Sequence, residues 1–154
     1  MTKPITDFAI RINAKLILDS LLVVEKDGRY YLLNKKLQGI TRKDFFYAGK
    51  YLGKAKNAKF FPSFNLLTML AETKANKVVV DEKAAWLFIC GRDIFSNRIT
   101  AVCGSKRKGD HTVILNSFGE CLGFGRIMGD LNAKDGEAVV KNISDVGDFL
   151  RREG

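Results

Sequence analysis

The chain has 154 residues, 46% of them hydrophobic and 28% charged, with 26 Lys and Arg against 17 Asp and Glu for a net charge of +9. That is enough apolar material for one ordinary domain or two very small ones and too much for a disordered chain, and no stretch nears the roughly 20 apolar residues of a membrane-spanning helix. The charge favours a polyanionic partner, nucleic acid before an anionic membrane surface.

In chain order, the opening MTKPITDF has no hydrophobic segment behind its basic residue, so a soluble, cytoplasmic protein without a secretory signal is expected. Thr6 or Asp7 is placed to cap a first helix, with Phe8, Ala9, Ile12 and Leu16 on one face. Leu21–Glu25, Asp27-Gly28 and Arg29–Leu33 read as strand, tight turn and strand. Asp44–Leu52 reads as a further strand with Gly49 as its bulge, and Lys59–Phe61 as another that runs into Pro62. Ser63 caps a helix through Leu66, Leu67, Leu70 and Ala71, and polar Thr73–Lys77 closes the first unit.

From Val78 the pattern changes to short elements separated by glycines. Val78–Val80 reads as a strand and Glu82–Cys90 as a short helix ending at Gly91. Arg98–Val102, Thr112–Asn116, Cys121–Ile127 and Ala138–Lys141 read as strands, and Ser144 or Asp145 caps a closing helix over Val146–Arg152. Short strands with Gly-rich turns suggest a small barrel. The fold class expected is α+β: an N-terminal antiparallel sheet with helices over residues 1–74, then a small β-barrel over 75–154.

The basic excess is uneven. Residues 1–76 hold 14 basic and 6 acidic residues, a net of +8, whereas 77–154 hold 12 and 11, a net of +1. Between Lys35 and Lys59, eight cations, including Lys54, Lys56 and Lys59, face Asp44 alone, with Phe45, Phe46, Tyr47, Tyr51, Phe60 and Phe61 interleaved. Cations for phosphates beside rings that stack bases make an RNA surface; the same rings also suit a core with the lysines on its wet side.

Catalytic and cofactor signals are thin. Gly49-Lys50-Tyr51-Leu52-Gly53-Lys54 misses the P-loop pattern by one residue between its glycines and by Ala55 where a hydroxyl is required. Gly123-Phe124-Gly125-Arg126-Ile127-Met128-Gly129 sits in a strand with its third glycine one place late for a dinucleotide site, so its glycines mark close packing or a barrel bend. His111, the one histidine, lies in a polar turn and is expected to be solvated. Cys90, Cys103 and Cys121 have no disulfide or zinc spacing and are expected to be buried or half-buried thiols. No enzyme, cofactor or metal is expected. Lys106-Arg107-Lys108 forms a cationic loop tip, and Arg126, Lys134, Lys141, Arg151 and Arg152 form a surface only if the fold gathers them.

Ala84-Ala85-Trp86-Leu87-Phe88-Ile89-Cys90-Gly91-Arg92-Asp93-Ile94-Phe95, followed by Arg98-Ile99, resembles the opening helix and glycine turn of a PUA domain, the RNA-binding module of pseudouridine synthases and archaeosine transglycosylases. Leu122-Gly123-Phe124-Gly125 resembles its later hairpin and Asp145–Arg152 its closing helix. With the short α/β unit ahead, and with Gly53-Lys54, Lys59-Phe60, Leu67 and Leu70-Ala71 upstream, the chain is similar over residues 44–152 to an archaeal-type member of one ribosome-biogenesis family, the large-subunit factor called nuclear-import-protein seven. That resemblance implies a non-enzymatic RNA-binding protein of pre-rRNA processing and large-subunit assembly, monomeric by itself. Its partners would be pre-rRNA and pre-ribosomal proteins or the exosome, with no membrane. Arg92, Arg98, Arg126, Lys134, Arg151 and Arg152 would then position RNA, with Lys106, Arg107 and Lys108 as further phosphate contacts. The family often has basic residues in the turn before the last strand, where this chain has Leu131 and Asn132 and only Lys134 is cationic. Two other readings stand beside this one: a protein-interaction adaptor in a pre-ribosomal or exosome complex, marked by exposure of Phe45, Tyr47, Phe61 or Phe64, and the accessory RNA-binding subunit of an RNA-modification enzyme.

Overall fold

The computed structural model describes residues 2–35 and 49–153, without the side chains of 149 and 151–153. Helix α1 is Lys3–Arg11. Strands β1 (Val23–Lys26), β2 (Arg29–Leu32), β3 (Lys50–Lys56) and β4 (Lys59–Pro62) form one antiparallel sheet in that order. Helix α2 is Phe64–Ala71. The second sheet comprises β5 (Lys77–Val80), β6 (Ile94–Phe95), β7 (Ile99–Cys103), β8 (His111–Leu115), β9 (Cys121–Ile127) and β10 (Ala138–Asp145). Its order is β6-β10-β9-β8-β5-β7, with only β5 and β8 parallel, and it curls into half a barrel. Helix α3 is Glu82–Ile89 and helix α4 is Val146–Glu153. The expected α+β class, sheet with helices followed by a PUA-type barrel, is the class observed. No described helix is long and apolar enough to cross a membrane.

Short-range signals are realised where a few neighbouring residues settle the geometry. Lys26 pairs with Arg29 across a two-residue turn whose Asp27 and Gly28 both have positive φ, 52° and 77°, which matches the right-handed twist of the hairpin strands. The Ser63 hydroxyl accepts from the Leu66 amide at 3.0 Å and the Asp81 carboxylate from that of Ala84 at 2.9 Å, capping α2 and α3. Asp145 caps α4 by accepting from the Asp148 amide at 3.0 Å. The glycines of β9 pack strand on strand: a Cβ at Gly125 would lie 2.6 Å from the Lys141 carbonyl oxygen, and Gly123 has φ +149° with the Ser144 carbonyl against it.

Several boundaries differ from expectation. Helix α1 begins at Lys3, so Thr6 and Asp7 lie inside it rather than capping it, because Pro4 suits the first turn and its missing N–H is not needed there. It stops before Leu16, since Asn13 turns left-handed at φ 56°. Leu21 falls in a 3-10 turn, 74% exposed, and β1 starts later. Of the expected strand Asp44–Leu52, residues 44–48 lie outside the described residues, and β3 runs past Leu52 to Lys56; the register shift opposite Tyr30 and Tyr31 falls beside Gly53, not at Gly49. Strand β10 continues beyond Lys141 to Asp145, and β6 was not anticipated: paired with β10, both take their ends from tertiary pairing. Cys121 is buried, but Cys90 and Cys103 are exposed, at the C-cap of α3 and on edge strand β7.

Among the described residues, two clusters form the core. One lies inside the half-barrel, with Val78, Phe88, Ile94, Ile114, Ile127 and Val139. The other joins the two sheets: Phe8, Ile12, Leu52, Leu66, Leu67 and Leu70 pack with Val113, Leu115, Cys121 and Phe124. Phe8 meets Phe124 edge-on at 5.1 Å between centroids and Phe60 at 6.0 Å. Truncating Phe8 to Ala therefore removes contacts on both sheets; a loss of about 3–5 kcal/mol is expected, read as one urea transition shifted as a whole. In the β3–β4 turn Ala58 holds φ 61° with a Cβ that this conformation disfavours. Ala58→Gly is expected to raise stability by about 0.5–1 kcal/mol in the same assay.

Candidate nucleic-acid interface

Strand alternation generates the site. On β8 and β9, Ile114 and Ile127 face the half-barrel interior, so Val113 and Phe124 face the first sheet. His111 and Arg126 lie two residues further along those strands, on the same outer face, directly opposite each other. Arg126 is also directly opposite Lys141 on β10, so His111, Arg126 and Lys141 make a row across three adjacent strands. Arg126 and Lys141 are exposed and His111 is half-buried. Like charges placed directly opposite one another destabilise a sheet, so the Arg126–Lys141 pair opposes the fold unless an anion sits over it.

The face continues into a cleft of about 920 Å³ between the sheets. One wall is α1 and the β3–β4 hairpin, supplying Lys3, Asp7, Phe8, Arg11, Lys59, Phe60 and Phe61. The other is β8, β9, β10 and the start of α4, supplying His111, Phe124, Arg126, Ile143, Ser144 and Asp148. Lys3 is paired with Asp7 at 2.5 Å, and the Ser144 hydroxyl donates to Asp148 at 2.5 Å. Among the described residues no ion pair engages Arg11, Lys59 or Arg126. His111 stands edge-on to Phe124 at 6.0 Å. Burial first, then the charges of Arg11 and Arg126, hold its pKa below the ordinary 6.5, with Asp110 acting weakly the other way. The expectation of a solvated histidine is thus corrected: β8 begins at His111 and turns its ring into the cleft.

The candidates from sequence fall into groups. Lys59 and Arg126 line the cleft. Lys106, Arg107 and Lys108 are exposed on the loop into β8, and that loop is fastened to the end of β9 by the Gly109 amide donating to the Ile127 carbonyl at 2.7 Å. They lie at the same end of β9 as Arg126, and Arg107 is held by Asp110 at 3.4 Å. Lys134 is exposed on the turn that leaves the same end of β9. Lys54 is half-buried and Lys56 exposed at the far end of β3. Arg92 is exposed, with its carbonyl accepting from Asn142 at 3.4 Å. Arg98 is fastened to Asp81 at 3.2 Å, so the α3 cap holds its guanidinium. Arg151 and Arg152 lie on α4, their side chains outside the described set. Of the interleaved rings, Phe60 packs against Phe8 and Tyr30 and Tyr51 against Tyr31, as core rings do; Phe45, Phe46 and Tyr47 lie outside the described residues. Phe61 is 40% exposed and Phe64 half-buried. Arg11 was missed, because it lies in no charge cluster or motif that marks it, and His111 was read as a solvated turn residue.

Residues 76–154 match the UPF0113 PUA domain family. The chain belongs to this family. It is 28% identical over 113 residues to a UPF0113 protein of Archaeoglobus fulgidus, a match covering 70% of this chain and 63% of that protein's length. It shares the fold of a conserved PUA domain protein from Thermoplasma acidophilum, with a TM-score of 0.68 and 24% identity over 99% of this chain and 93% of that one. A PUA domain from Aeropyrum pernix K1, solved as a tartrate complex, superposes with a TM-score of 0.52 and 21% identity over 61% of this chain and 56% of that one. The PUA module is an RNA-binding one, which makes the basic row on its outer face the candidate interface.

His111 gives the interface a pH signature. Its folded pKa lies below the unfolded value, so its contribution to stability is complete above pH 6.5 and is lost as the pH falls from there through the folded value. Urea titrations of the wild type and His111→Gln on either side of pH 6.5 are expected to show a steeper loss in the wild type. Equal slopes would mean that the imidazole is not destabilised by its surroundings.

Proposed function

We propose that this protein is a non-catalytic RNA-binding factor of pre-rRNA processing and large-subunit assembly. It would work as a monomer, in the cytoplasm, with pre-ribosomal proteins or the exosome as neighbours. The rRNA role follows from the resemblance to the nuclear-import-protein seven family. Its division into a unit of residues 1–74 and a PUA unit of 75–154 belongs to the same proposal. One observation carries the RNA reading: the directly opposed cations Arg126 and Lys141, flanked by the half-buried His111, on a PUA module, with the loop Lys106–Lys108 at the same end of β9 and Arg11 and Lys59 across the cleft. Phosphates would relieve the repulsion within the pair, and each cation engaged releases counterions.

In this reading Arg126, Lys59 and Lys106–Lys108 make phosphate contacts, with Lys54, Lys56 and Lys134 at the margins and Arg92, Arg151 and Arg152 on neighbouring surfaces. Arg98 acts first as a brace for α3. A second reading, the adaptor, draws on exposed apolar side chains in the first half, Ile10 at 68%, Ile17 at 96% and Leu21 at 74%. A salt series separates the two. RNA affinity of the intact protein is expected to fall steeply with salt, and Arg126→Gln to lower the logarithmic slope by about 0.7–0.9 for its one lost phosphate contact. Lys54→Glu/Lys56→Glu/Lys59→Glu is expected to weaken binding further at low salt. No binding by the wild type at low salt would leave the adaptor in first place.

A further inference from the structure

Resting on the RNA reading, we propose that the cleft between the two sheets receives one unpaired nucleotide of a single-stranded RNA. Its phosphate would lie on Arg11 and Arg126, and its base against the ring wall headed by Phe61.

The chemistry of the two walls argues for this occupant. Arg11, Lys59 and Arg126 come from α1, β4 and β9 and converge on one space, while the cleft's two acids are engaged by Lys3 and by the Ser144 hydroxyl. The net demand of the cleft is therefore for an anion. It is more than an anion site, however. Phe61 from one wall and Ile143 from the other are 40% and 41% exposed, and Phe8, Phe60 and Phe124 also line the cleft. Exposed apolar groups lining a charged slot favour a planar group with apolar faces and a charged tail, which is what a nucleotide offers. The volume of about 920 Å³ lies within the range of small-ligand sites.

Only a single strand can comply, since in an A-form duplex the bases are stacked and paired, whereas an unpaired base swings out to stack on a ring. The position of His111 fits as well. Arg11, Arg126 and Asp110 are the charges acting on it, with Lys3, Lys59, Asp7 and Asp148 elsewhere in the cleft; a phosphate neutralising the two arginines would let the imidazole take up its proton. Binding should then tighten as the pH falls below 6.5, and His111→Gln should flatten that dependence.

The test uses the full chain and RNA oligonucleotides carrying 2-aminopurine, single-stranded and as duplex, at low salt. The wild type is expected to prefer the single strand and to raise the probe's fluorescence as the base leaves its neighbours. Arg11→Gln and Phe61→Ala should each weaken single-strand binding by about tenfold, and Phe61→Tyr should retain it. Unchanged affinity in both weakened variants, or no fluorescence change at saturation, would overturn the cleft site while leaving RNA binding by the outer row intact. Binding of an aspartate-rich peptide that Arg11→Gln abolishes, with no single-strand preference, would overturn it in favour of an acidic protein. No binding of any RNA would instead overturn the reading on which it rests.

Discussion

Everything in this molecule is arranged around the apolar half of one sheet face. On β8 and β9, residues alternate between the half-barrel interior and the outside, yet the outside is also apolar at Val113, Leu115, Cys121 and Phe124. A half-barrel alone would leave these side chains wet. Helices α1 and α2 and the first sheet cover them with Phe8, Leu66, Leu67 and Leu70, so the two sheets share a core. Burial at roughly 25 cal/mol per Å² of apolar surface orients one unit on the other.

That constraint creates the cleft as a by-product of where the apolar pattern stops. One alternation step beyond Val113 and Phe124, the same face carries His111 and Arg126, and β10 adds Lys141 in register. The first unit cannot close over the cations Arg126 and Lys141 without desolvating them, so the sheets part there. Arg11, at the last turn of α1, is carried to the opening by the same docking that buries Phe8.

The residues that identify the PUA module are mostly spent on its architecture. Asp81 caps α3 with one carboxylate oxygen and holds Arg98 with the other. The Asn142 side chain donates to the carbonyl of Phe88 at 2.8 Å, tying β10 to the end of α3. Leu131, in the turn where basic residues are frequent in the resembling family, is 4% exposed and packs into the half-barrel core. Family membership is thus written in caps, turns and core positions, while charge is distributed over the outer face by a different set of residues.

The amino-acid sequence alone determined what neighbouring residues can settle among themselves: the Asp27-Gly28 hairpin, the Ser63 and Asp81 caps, the left-handed stop at Gly91, and the close-packed glycines of β9. It also determined the overall basic charge and the order of elements that marks a PUA module. Strand ends such as Lys141–Asp145, the pairing of β6, the exposure of Cys90 and the half-burial of His111 depend on partners distant in the chain, and no local pattern reports them. The cleft itself belongs to this second class. Arg11 and Arg126 lie near opposite ends of the chain, and only burial of the shared apolar face, which acts through contacts between remote segments, brings their charges to one histidine.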